Sequence, residues 1–288
     1  MVELARITKS ACRTPQGLVG LVLVTFVTIV AFGGPFVAPH SATEFVTAPF
    51  AQPSGDALLG GDVLGRDVFS RLLEGGWLLL ILSLVGTLLG VAAGTVLGIV
   101  AAYFRGFGDT LVMRSVDVIM AVPELVLALV LLSVLGPELW LIVFAIALSH
   151  APRTARVIRA TSLDICERDF VKARRATGVH PIRIMLSDIG PNVSTPVLVE
   201  FGLRIPWSIA LIAGLSFLGF GLQPPDPNWG AMINENRIAL IENPWPVIVP
   251  AFVLALLTVG ANLFADAMGS AAKNPTMEKE TVDKGAAS

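Results

Sequence analysis

The chain has 288 residues, of which 54% are hydrophobic and 15% charged, and its formal net charge is −2. The mean hydropathy of +0.76 excludes an ordinary soluble domain, because six buried core helices would need polar surface that this sequence does not supply. We therefore predict an all-α, polytopic membrane protein.

Long uncharged stretches predict where the chain crosses the bilayer. A helix rises 1.5 Å per residue, so about 20 apolar residues span a hydrocarbon core of roughly 30 Å. Four stretches without charged residues reach this length, namely residues 14–43, 75–104, 205–225 and 243–265. Two less apolar stretches, residues 115–136 and 138–158, are predicted to cross as well. The six crossings are predicted near residues 17–38, 77–103, 115–136, 138–158, 197–221 and 246–268.

The first crossing follows three basic residues, Arg6, Lys9 and Arg13. A secretory signal has the same arrangement, but its apolar region is typically about 7 to 15 residues long, shorter than residues 17–38. We therefore predict that residues 1–38 form a cytosolic N-terminus and an uncleaved first helix. Residues 39–76, rich in Pro, Gly and Asp, are predicted to form an extracytoplasmic loop.

The second crossing contains glycines at a spacing of four residues, which places them on one face of a helix. These glycines are Gly86, Gly90, Gly94 and Gly98. Generic tolerance of glycine in membrane helices explains one or two of them but not a regular row. We predict a packing seam that lets a second helix approach closely.

The third crossing contains Glu124, whose charge near the bilayer centre costs about 2.5 to 3.5 kcal/mol on insertion scales. Either this carboxylate faces a cavity, or the helix is shifted so that Glu124 lies near an interface. Prolines at three crossings, Pro123, Pro206 and Pro250, are expected to kink their helices.

Residues 159–195, between the fourth and fifth crossings, form one long inside loop. Its middle is typical of a short helix, a left-handed C-cap at Gly178 and a new segment opened by Pro181. Phe170 and Val171 are apolar residues in a basic segment, which favours a knob that docks into a partner's pocket. A solvated basic loop at the lipid head groups is the alternative.

Positive charges predict the orientation, because cytoplasmic loops retain Lys and Arg. With six crossings and the N-terminus inside, basic residues concentrate in the inside loop, and only Arg66, Arg71 and Arg237 fall outside. Residues 269–288 are then a polar cytosolic tail.

Cysteine and histidine give no sign of a metal or disulfide framework. Cys12 and Cys166 are far apart, in segments predicted to be cytosolic. His40, His150 and His180 have no Cys or His at ligand spacing, so we predict solvated or capping histidines and no metal site.

Three motifs carry a resemblance to a known family. The coupling-loop pattern of binding-protein-dependent ABC importer permeases, Tyr-Val-Glu-Ala-Ala-Arg-Ala-Leu-Gly, resembles residues 170–178, with Lys172 and Arg174 in place of Glu and the second Ala. Residues 59–72 are similar to the signature Leu-Gly-Thr-Asp-x-x-Gly-Arg-Asp-x-x-Ser-Arg that precedes the second helix. Residues 216–232 resemble the segment that leaves the fifth helix. The likeness covers roughly residues 17–275 and points to the C-type subunit of dipeptide, oligopeptide or nickel importers.

This resemblance implies a type I ABC importer permease fold, with residues 77–268 as the transmembrane permease domain. It implies a complex in the cytoplasmic (inner) membrane of a prokaryote. The implied partners are a homologous permease subunit in a heterodimer, two cytosolic ATPase subunits or domains, an extracytoplasmic solute-binding protein and the lipid bilayer, and no nucleic acid. The chain lacks a Gly-x-x-x-x-Gly-Lys-Ser/Thr phosphate loop. We therefore expect a subunit that is not itself an enzyme and holds no cofactor, with ATP and Mg bound by the ATPases.

Three groups of residues are expected to have functional roles. The residues expected to couple to an ATPase are Phe170, Val171, Lys172, Ala173, Arg174, Arg175, Ala176, Thr177, Gly178, Val179, His180 and Pro181. Those expected along the translocation pathway are Glu124, Trp207, Ser208 and Ser216. Those expected to contact the binding protein are Asp62, Arg66, Asp67 and Trp229, and Trp229 and Trp245 are also expected to anchor at the membrane interface.

The substrate expected from the family branch is a dipeptide or oligopeptide, and nickel or glutathione is the alternative within the same family. A different class is an ion-coupled secondary transporter or channel that uses Glu124 and Glu200 as ion sites. A membrane scaffold without a pathway is a further alternative. No Ser-His-Asp arrangement stands out in the sequence, so an intramembrane enzyme ranks last.

Overall fold

The computed structural model describes residues 8–222 and 225–273, apart from the side chains of Ala239 and Lys273. Within these ranges the chain is helical, and its β-structure is limited to two isolated bridges, Phe45 with Arg66 and Gly61 with Asp67. The all-α prediction is confirmed. The predictions for Arg6, for Gln223 and Pro224, and for the tail from residue 274 onward lie outside the described residues.

The α-helices follow one another with short connections, apart from the 39–76 loop. They are α1 (Pro15–Gly33), α2 (Val68–Glu74), α3 (Trp77–Phe104), α4 (Gly106–Ala121), α5 (Glu124–Leu135), α6 (Leu139–Cys166), α7 (Asp169–Ala176), α8 (Pro181–Ile184), α9 (Ser194–Phe217), α10 (Trp229–Asn236) and α11 (Trp245–Lys273). Other helical turns are Gly34–Phe36, Met185–Ile189, Gly190–Val193 and Arg237–Ile241.

Among the described residues, five helical stretches are long and apolar enough to cross a membrane. They are Pro15–Phe36, Val68–Phe104, Leu139–Cys166, Pro181–Phe217 and Trp245–Ala272. The pair α4 and α5 passes the same test together, but the two helices are bent by 85° relative to each other. Counted as one span, this pair completes the six predicted crossings.

The third crossing is therefore not the continuous helix that we predicted over residues 115–136. Val122 is extended, with φ −90° and ψ 128°, and Pro123 caps the start of α5. A proline ring disfavours helical backbone in the residue before it, which ends α4 at Ala121. Pro206 and Pro250, in contrast, lie inside α9 and α11 without ending them. The fourth crossing also differs, because α6 continues past residue 158 to Cys166.

The helices form a bundle with α9 against α3, α6, α10 and α11. Its main buried cluster draws apolar side chains from α1, α3, α6 and α9, among them Val27, Leu79, Ile146 and Ile212. Two helix pairs approach especially closely through glycines. One is α3 with α6, and the other is α1 with α11, where a Cβ on Gly20 would lie 2.6 Å from the Phe264 nitrogen.

A second buried cluster lies at the predicted cytosolic end. It joins the last turns of α3 and α6 to the segment between α6 and α9 through Ile99, Ile158, Ile165, Cys166, Val171, Ile184, Ile189 and Val193. We call residues 169–193 the coupling segment. Because its apolar side chains share this cluster with α3 and α6, the segment is fixed to the bundle rather than suspended from two flexible linkers.

Candidate functional site

The coupling segment begins with α7, whose last turn has the C-cap that the sequence predicted. Gly178 has a φ of +74°, in the left-handed region that glycine adopts without steric cost. The Val179 amide donates to the Arg174 carbonyl, and the Gly178 amide donates to the Arg175 carbonyl, which is a Schellman arrangement. Pro181 then occupies the first turn of α8. The predicted helix, stop and new helix are confirmed.

Phe170 and Val171 lie in different environments. The Phe170 side chain is 42% exposed, whereas Val171 is fully buried in the cluster with Ile184 and Ile189. The predicted two-residue knob is therefore wrong for Val171, which anchors α7 to its own chain. Ile182 and Leu186 are exposed on the same segment, so Phe170 belongs to an accessible apolar surface there.

A cation–π contact, a hydrogen bond and ion pairs attach the coupling segment to the end of α3. The Arg175 guanidinium lies 4.1 Å from the centre of the Tyr103 ring, and its Nη2 donates to the Tyr103 carbonyl at 3.2 Å. Glu167 accepts from both Arg105 and Lys172, the latter at 2.9 Å. Arg174 donates from Nε to Asp188 at 3.0 Å, within the segment itself. These contacts join the coupling segment to the end of α3, so that the two move together, although they are far apart in sequence.

Hydrogen bonds from Lys172 and Arg105 lower the pKa of Glu167 below its ordinary value. The folded chain therefore binds this proton more weakly than the unfolded chain does. The stabilisation is present above the ordinary pKa and is lost as the pH falls through the lowered one. The attachment is thus intact at neutral pH.

Three arginines of α6 form a ladder with acidic residues of the bent pair α4 and α5. Arg153 Nη1 donates to Glu124 at 2.7 Å, Arg156 pairs with Asp117, and Arg159 makes two bonds to Asp109, at 2.6 and 2.5 Å. Glu124 is thus an ion-paired carboxylate at the first turn of α5. The ladder holds the bent pair against α6 and explains how α6 extends past residue 158 with charged side chains.

A second set of polar contacts, which we call the polar column, connects α9 to α6 and α3. The Ser208 hydroxyl lies 2.7 Å from His150 Nε2 and 2.6 Å from Thr87 Oγ1. Two turns earlier on α9, Glu200 accepts from Arg204 Nη2 at 2.7 Å and from Thr154 at 3.4 Å. His150 is completely buried, so our prediction of a solvated or capping histidine is wrong for it.

The expected pathway residues divide into buried and exposed ones. Ser208 and Ser216 are buried, and Ser208 contributes to the column between helices. Trp207, the neighbour of Ser208, is 53% exposed on the other face of α9. A pathway role for Ser208 and Ser216 by direct contact with solute is therefore incompatible with this arrangement, whereas Trp207 is accessible.

The glycine row of α3 lies against α6 over its whole length. A Cβ on Gly86 would be 2.8 Å from Ile146 Cβ, one on Gly90 2.9 Å from His150 Cβ, one on Gly94 2.5 Å from the Ala151 carbonyl oxygen and one on Gly98 2.7 Å from the Ala155 carbonyl oxygen. His150, which belongs to the polar column, therefore also packs against the glycine row of α3.

At the predicted outer side, the 39–76 loop is built around buried charges. Asp62 accepts from Arg66 Nε at 2.7 Å and from Arg71 Nη1 at 2.5 Å, and Glu235 of α10 accepts from the same two arginines at 3.0 and 2.8 Å. Asp67 caps α2 by accepting from the Ser70 amide at 3.0 Å. The charges thus fold the loop and clip it to α10.

The four residues expected to contact a binding protein are buried in this arrangement. They are Asp62, Arg66, Asp67 and Trp229. Trp229 donates from Nε1 to the Leu72 carbonyl at 2.8 Å and is completely enclosed, so it is not an interface anchor. Their role is corrected to shaping the loop. Trp245, at the start of α11, is 42% exposed, as an interface anchor requires.

Several residues that hold the helices together were not predicted from the sequence. A periodic signal existed for the ladder, because Arg153, Arg156 and Arg159 repeat every three residues and Asp109, Asp117 and Glu124 every seven or eight. Tyr103 and Thr87 offered none, because an isolated aromatic or hydroxyl side chain in an apolar stretch has no partner that the sequence identifies.

Comparison with known proteins gives a consistent result. Residues 94–273 match the model of the family described as "Binding-protein-dependent transport system inner membrane component". The glutathione transport system permease protein GsiD of Pectobacterium atrosepticum is 34% identical over 257 residues, 88% of this chain and 84% of the relative. The dipeptide transport system permease protein DppC is 32% identical in Alkalihalophilus pseudofirmus, over 91% of this chain and 87% of the relative. DppC of Haemophilus influenzae is 33% identical over 88% of each chain.

Proposed function

The chain belongs to the family of binding-protein-dependent transport system inner membrane components, and we propose that it is the permease subunit of an ATP-driven importer that carries dipeptides or oligopeptides across the cytoplasmic membrane. It is a multi-pass membrane subunit of an ABC importer, and such a permease acts with ATPases and a substrate-binding protein. The finer assignment, pairing with a homologous permease in a heterodimer and both termini in the cytosol, is part of the proposal. The orientation is supported by the basic residues that gather in the segments predicted to be cytosolic.

One observation carries the proposal, namely an exposed aromatic side chain on a segment that is itself fixed to three membrane helices. Phe170 is accessible to a partner, while Val171 on the same helix is buried in the cluster with the ends of α3 and α6. A partner that pushes on Phe170 therefore moves the ends of these helices, and α9 follows directly after residue 193. This is the connection that an ATPase needs to switch access to a cavity between two sides.

Peptides are favoured as substrates because the relatives are named for dipeptide and glutathione transport. Glutathione is itself a small peptide, so a glutathione importer is the second candidate. An ion-coupled transporter has less support, because Glu124 and Glu200 are each bonded to an arginine, Arg153 and Arg204. A carboxylate held by a guanidinium is not available to carry a transported cation.

We expect Phe170→Ala to weaken binding of the ATPase about three- to tenfold and to lower uptake accordingly. Full burial of a phenylalanine side chain contributes about 1.5 to 3 kcal/mol. Because Phe170 is 42% exposed before docking, its burial by the ATPase contributes roughly 0.6 to 1.3 kcal/mol, and about 1.4 kcal/mol corresponds to a factor of ten. The measurement is co-purification of the ATPase with the membrane complex, together with ATP-dependent uptake of a labelled dipeptide into membrane vesicles.

The matched control is Phe107→Ala, because Phe107 is an exposed aromatic residue at the same end of the bundle but outside the coupling segment. It should leave docking and uptake unchanged. Normal docking and normal uptake in the Phe170 variant would refute the coupling role. Uptake that continues without ATP and stops when ion gradients collapse would instead favour the secondary transporter.

We expect Arg175→Ala to uncouple the importer rather than dissociate it. Phe170 still binds the ATPase, but α7 loses its attachment to Tyr103, worth about 1 to 2 kcal/mol for a partly buried cation–π contact. The number of dipeptides imported per ATP hydrolysed should fall about tenfold while ATP hydrolysis persists. Arg168→Ala, which removes an exposed arginine from the same basic segment, is the control. Equal losses in both variants would show that charge, not attachment to α3, matters.

A further inference from the structure

One face of α11 carries polar residues where a membrane helix is expected to be apolar. Thr258, Asn262 and Asp266 follow at a spacing of four residues and so lie on one face. Asn262 and Asp266 are exposed, and Thr258 is half-buried and donates to the Leu254 carbonyl at 2.8 Å. Within residues 8–222 and 225–273, neither the Asn262 amide nor the Asp266 carboxylate has a hydrogen-bond or ion-pair partner.

Unpartnered amide and carboxylate groups are costly against lipid, and such residues in membrane helices face water-filled cavities or other protein. Helix α1, which packs beside α11, shows what a lipid face looks like in this chain. It exposes Leu18, Val22, Phe26 and Ile29. The polar face of α11 therefore does not belong to the lipid-facing surface.

The same face of α11 forms one wall of a cleft with α9. The cleft has a volume of 180 Å³ and is lined by Pro206, Trp207, Ala210, Thr258 and Asn262. Pockets for drug-sized ligands typically measure about 300 to 1,000 Å³ and combine apolar walls with a few polar groups. A cleft of this size and lining suits one part of an extended ligand rather than a whole one.

The opposite sides of α9 have different roles. Glu200 and Ser208 fix one side of α9 to α6 and α3, whereas Trp207 lies on the cleft side. Pro206 has no amide hydrogen, so the carbonyl of Gly202 lacks its usual helical donor beside the cleft. Because α9 continues directly from the coupling segment, any movement of that segment reaches the cleft wall.

We propose that the cleft between α9 and α11 is a contact site for the backbone of a transported peptide inside the translocation pathway. Asn262 pairs with a peptide group, because its amide offers a donor and an acceptor together. Trp207 covers a neighbouring side chain. Asp266 lies about 6 Å further along the helix axis, within two residues of extended peptide, and attracts the N-terminal ammonium group. This inference rests on the proposed peptide import and extends it to named contacts.

The test uses the complete importer complex in membrane vesicles, with Cys12→Ser and Cys166→Ala as the background. A single cysteine is introduced as Asn262→Cys, and Ile29→Cys on the exposed face of α1 is the control. The charged thiol reagent 2-sulfonatoethyl methanethiosulfonate should modify the first at least tenfold faster than the second. The dipeptide alanyl-phenylalanine, added with ATP and the binding protein, should slow that modification severalfold.

No modification of Asn262→Cys by either reagent would place the face in lipid or against another subunit, because the thiolate that reacts with both does not form there. Modification by neutral N-ethylmaleimide alone would place it in a site that charged solutes do not enter. Both results overturn the proposal, as does fast modification by the charged reagent without protection by the dipeptide. Dipeptide uptake by the unmodified complex is measured first. A failure of peptide import is therefore detected separately from a failure of the cleft.

Discussion

Replacing Asp62 by alanine is expected to unfold the 39–76 loop and to cost about 3 to 5 kcal/mol of stability, the usual range when one partner of a buried ion pair is removed. Asp62 and Arg71 are both completely buried, and the aspartate accepts from Arg66 Nε, Arg71 Nη1 and the amides of Leu64 and Arg66. Without this carboxylate, two guanidinium groups share only Glu235, whose side chain is partly exposed. Water must then enter the loop to solvate them.

The loss should appear as faster proteolysis of the loop in right-side-out vesicles and as a lower thermal unfolding midpoint of the purified protein. Asp56→Ala is the matched control, since Asp56 is an exposed aspartate in the same loop. Asp62→Asn should fall between the two, because an amide keeps the shape but not the charge. If Asp62→Ala and Asp56→Ala gave the same midpoint, the buried charges would not be what holds this loop together.

The loop also shows where the sequence alone leads to a wrong role. Asp62, Arg66 and Asp67 are charged residues in a segment predicted to lie outside the membrane, which suggested contact with a partner. The structure buries them, because each charge meets an opposite charge or a helix terminus. The motif at residues 59–72 therefore identified the family correctly. The role of its charged residues, in contrast, depends on partners such as Glu235, which lies more than 160 residues further along the chain.

Local chemistry was predictable where backbone geometry decides it. The left-handed C-cap at Gly178 and the helix start at Pro181 follow from glycine and proline themselves, and both are present. Hydrophobic length located the crossings for the same reason. The break at Pro123 was expected only as a kink, because the sequence does not reveal whether neighbouring helices restore the lost hydrogen bond or, as here, the chain turns by 85°.

The positions of polar residues inside the bundle were less predictable. The column of Thr87, His150 and Ser208 joins three helices, and each residue alone is unremarkable in sequence. Glu200 and Arg204 are four residues apart and could be paired from their spacing, but the contact of Glu200 with Thr154 depends on how α6 packs against α9. Tertiary packing, which sequence periodicity does not specify, decides which of these side chains is structural and which is accessible.

Replacing Gly94 by alanine is expected to destabilise the protein by about 1 to 3 kcal/mol, the range for overpacking a tight interface, and replacement by leucine by more. The new Cβ would lie 2.5 Å from the Ala151 carbonyl oxygen and 2.7 Å from Thr154 Cβ. The first contact is with backbone, so no change of side-chain rotamer relieves it, and α3 and α6 must separate. Separation pulls His150 away from Ser208 on α9 and shifts the ends of both helices that carry the coupling segment.

Gly90→Ala should be milder than Gly94→Ala, because its closest contacts are 2.9 Å to His150 Cβ and 3.0 Å to the Ala147 carbonyl oxygen. Gly33→Ala, at the end of α1 with nothing within 4 Å of a new Cβ, is the control and should leave the unfolding midpoint unchanged. Thermal unfolding in detergent gives the order of the three variants, and uptake per ATP should fall in the same order. Equal unfolding midpoints for Gly94→Ala and Gly33→Ala would mean that the interface between α3 and α6 accommodates an extra methyl group, and that the glycine row is not required for their close approach.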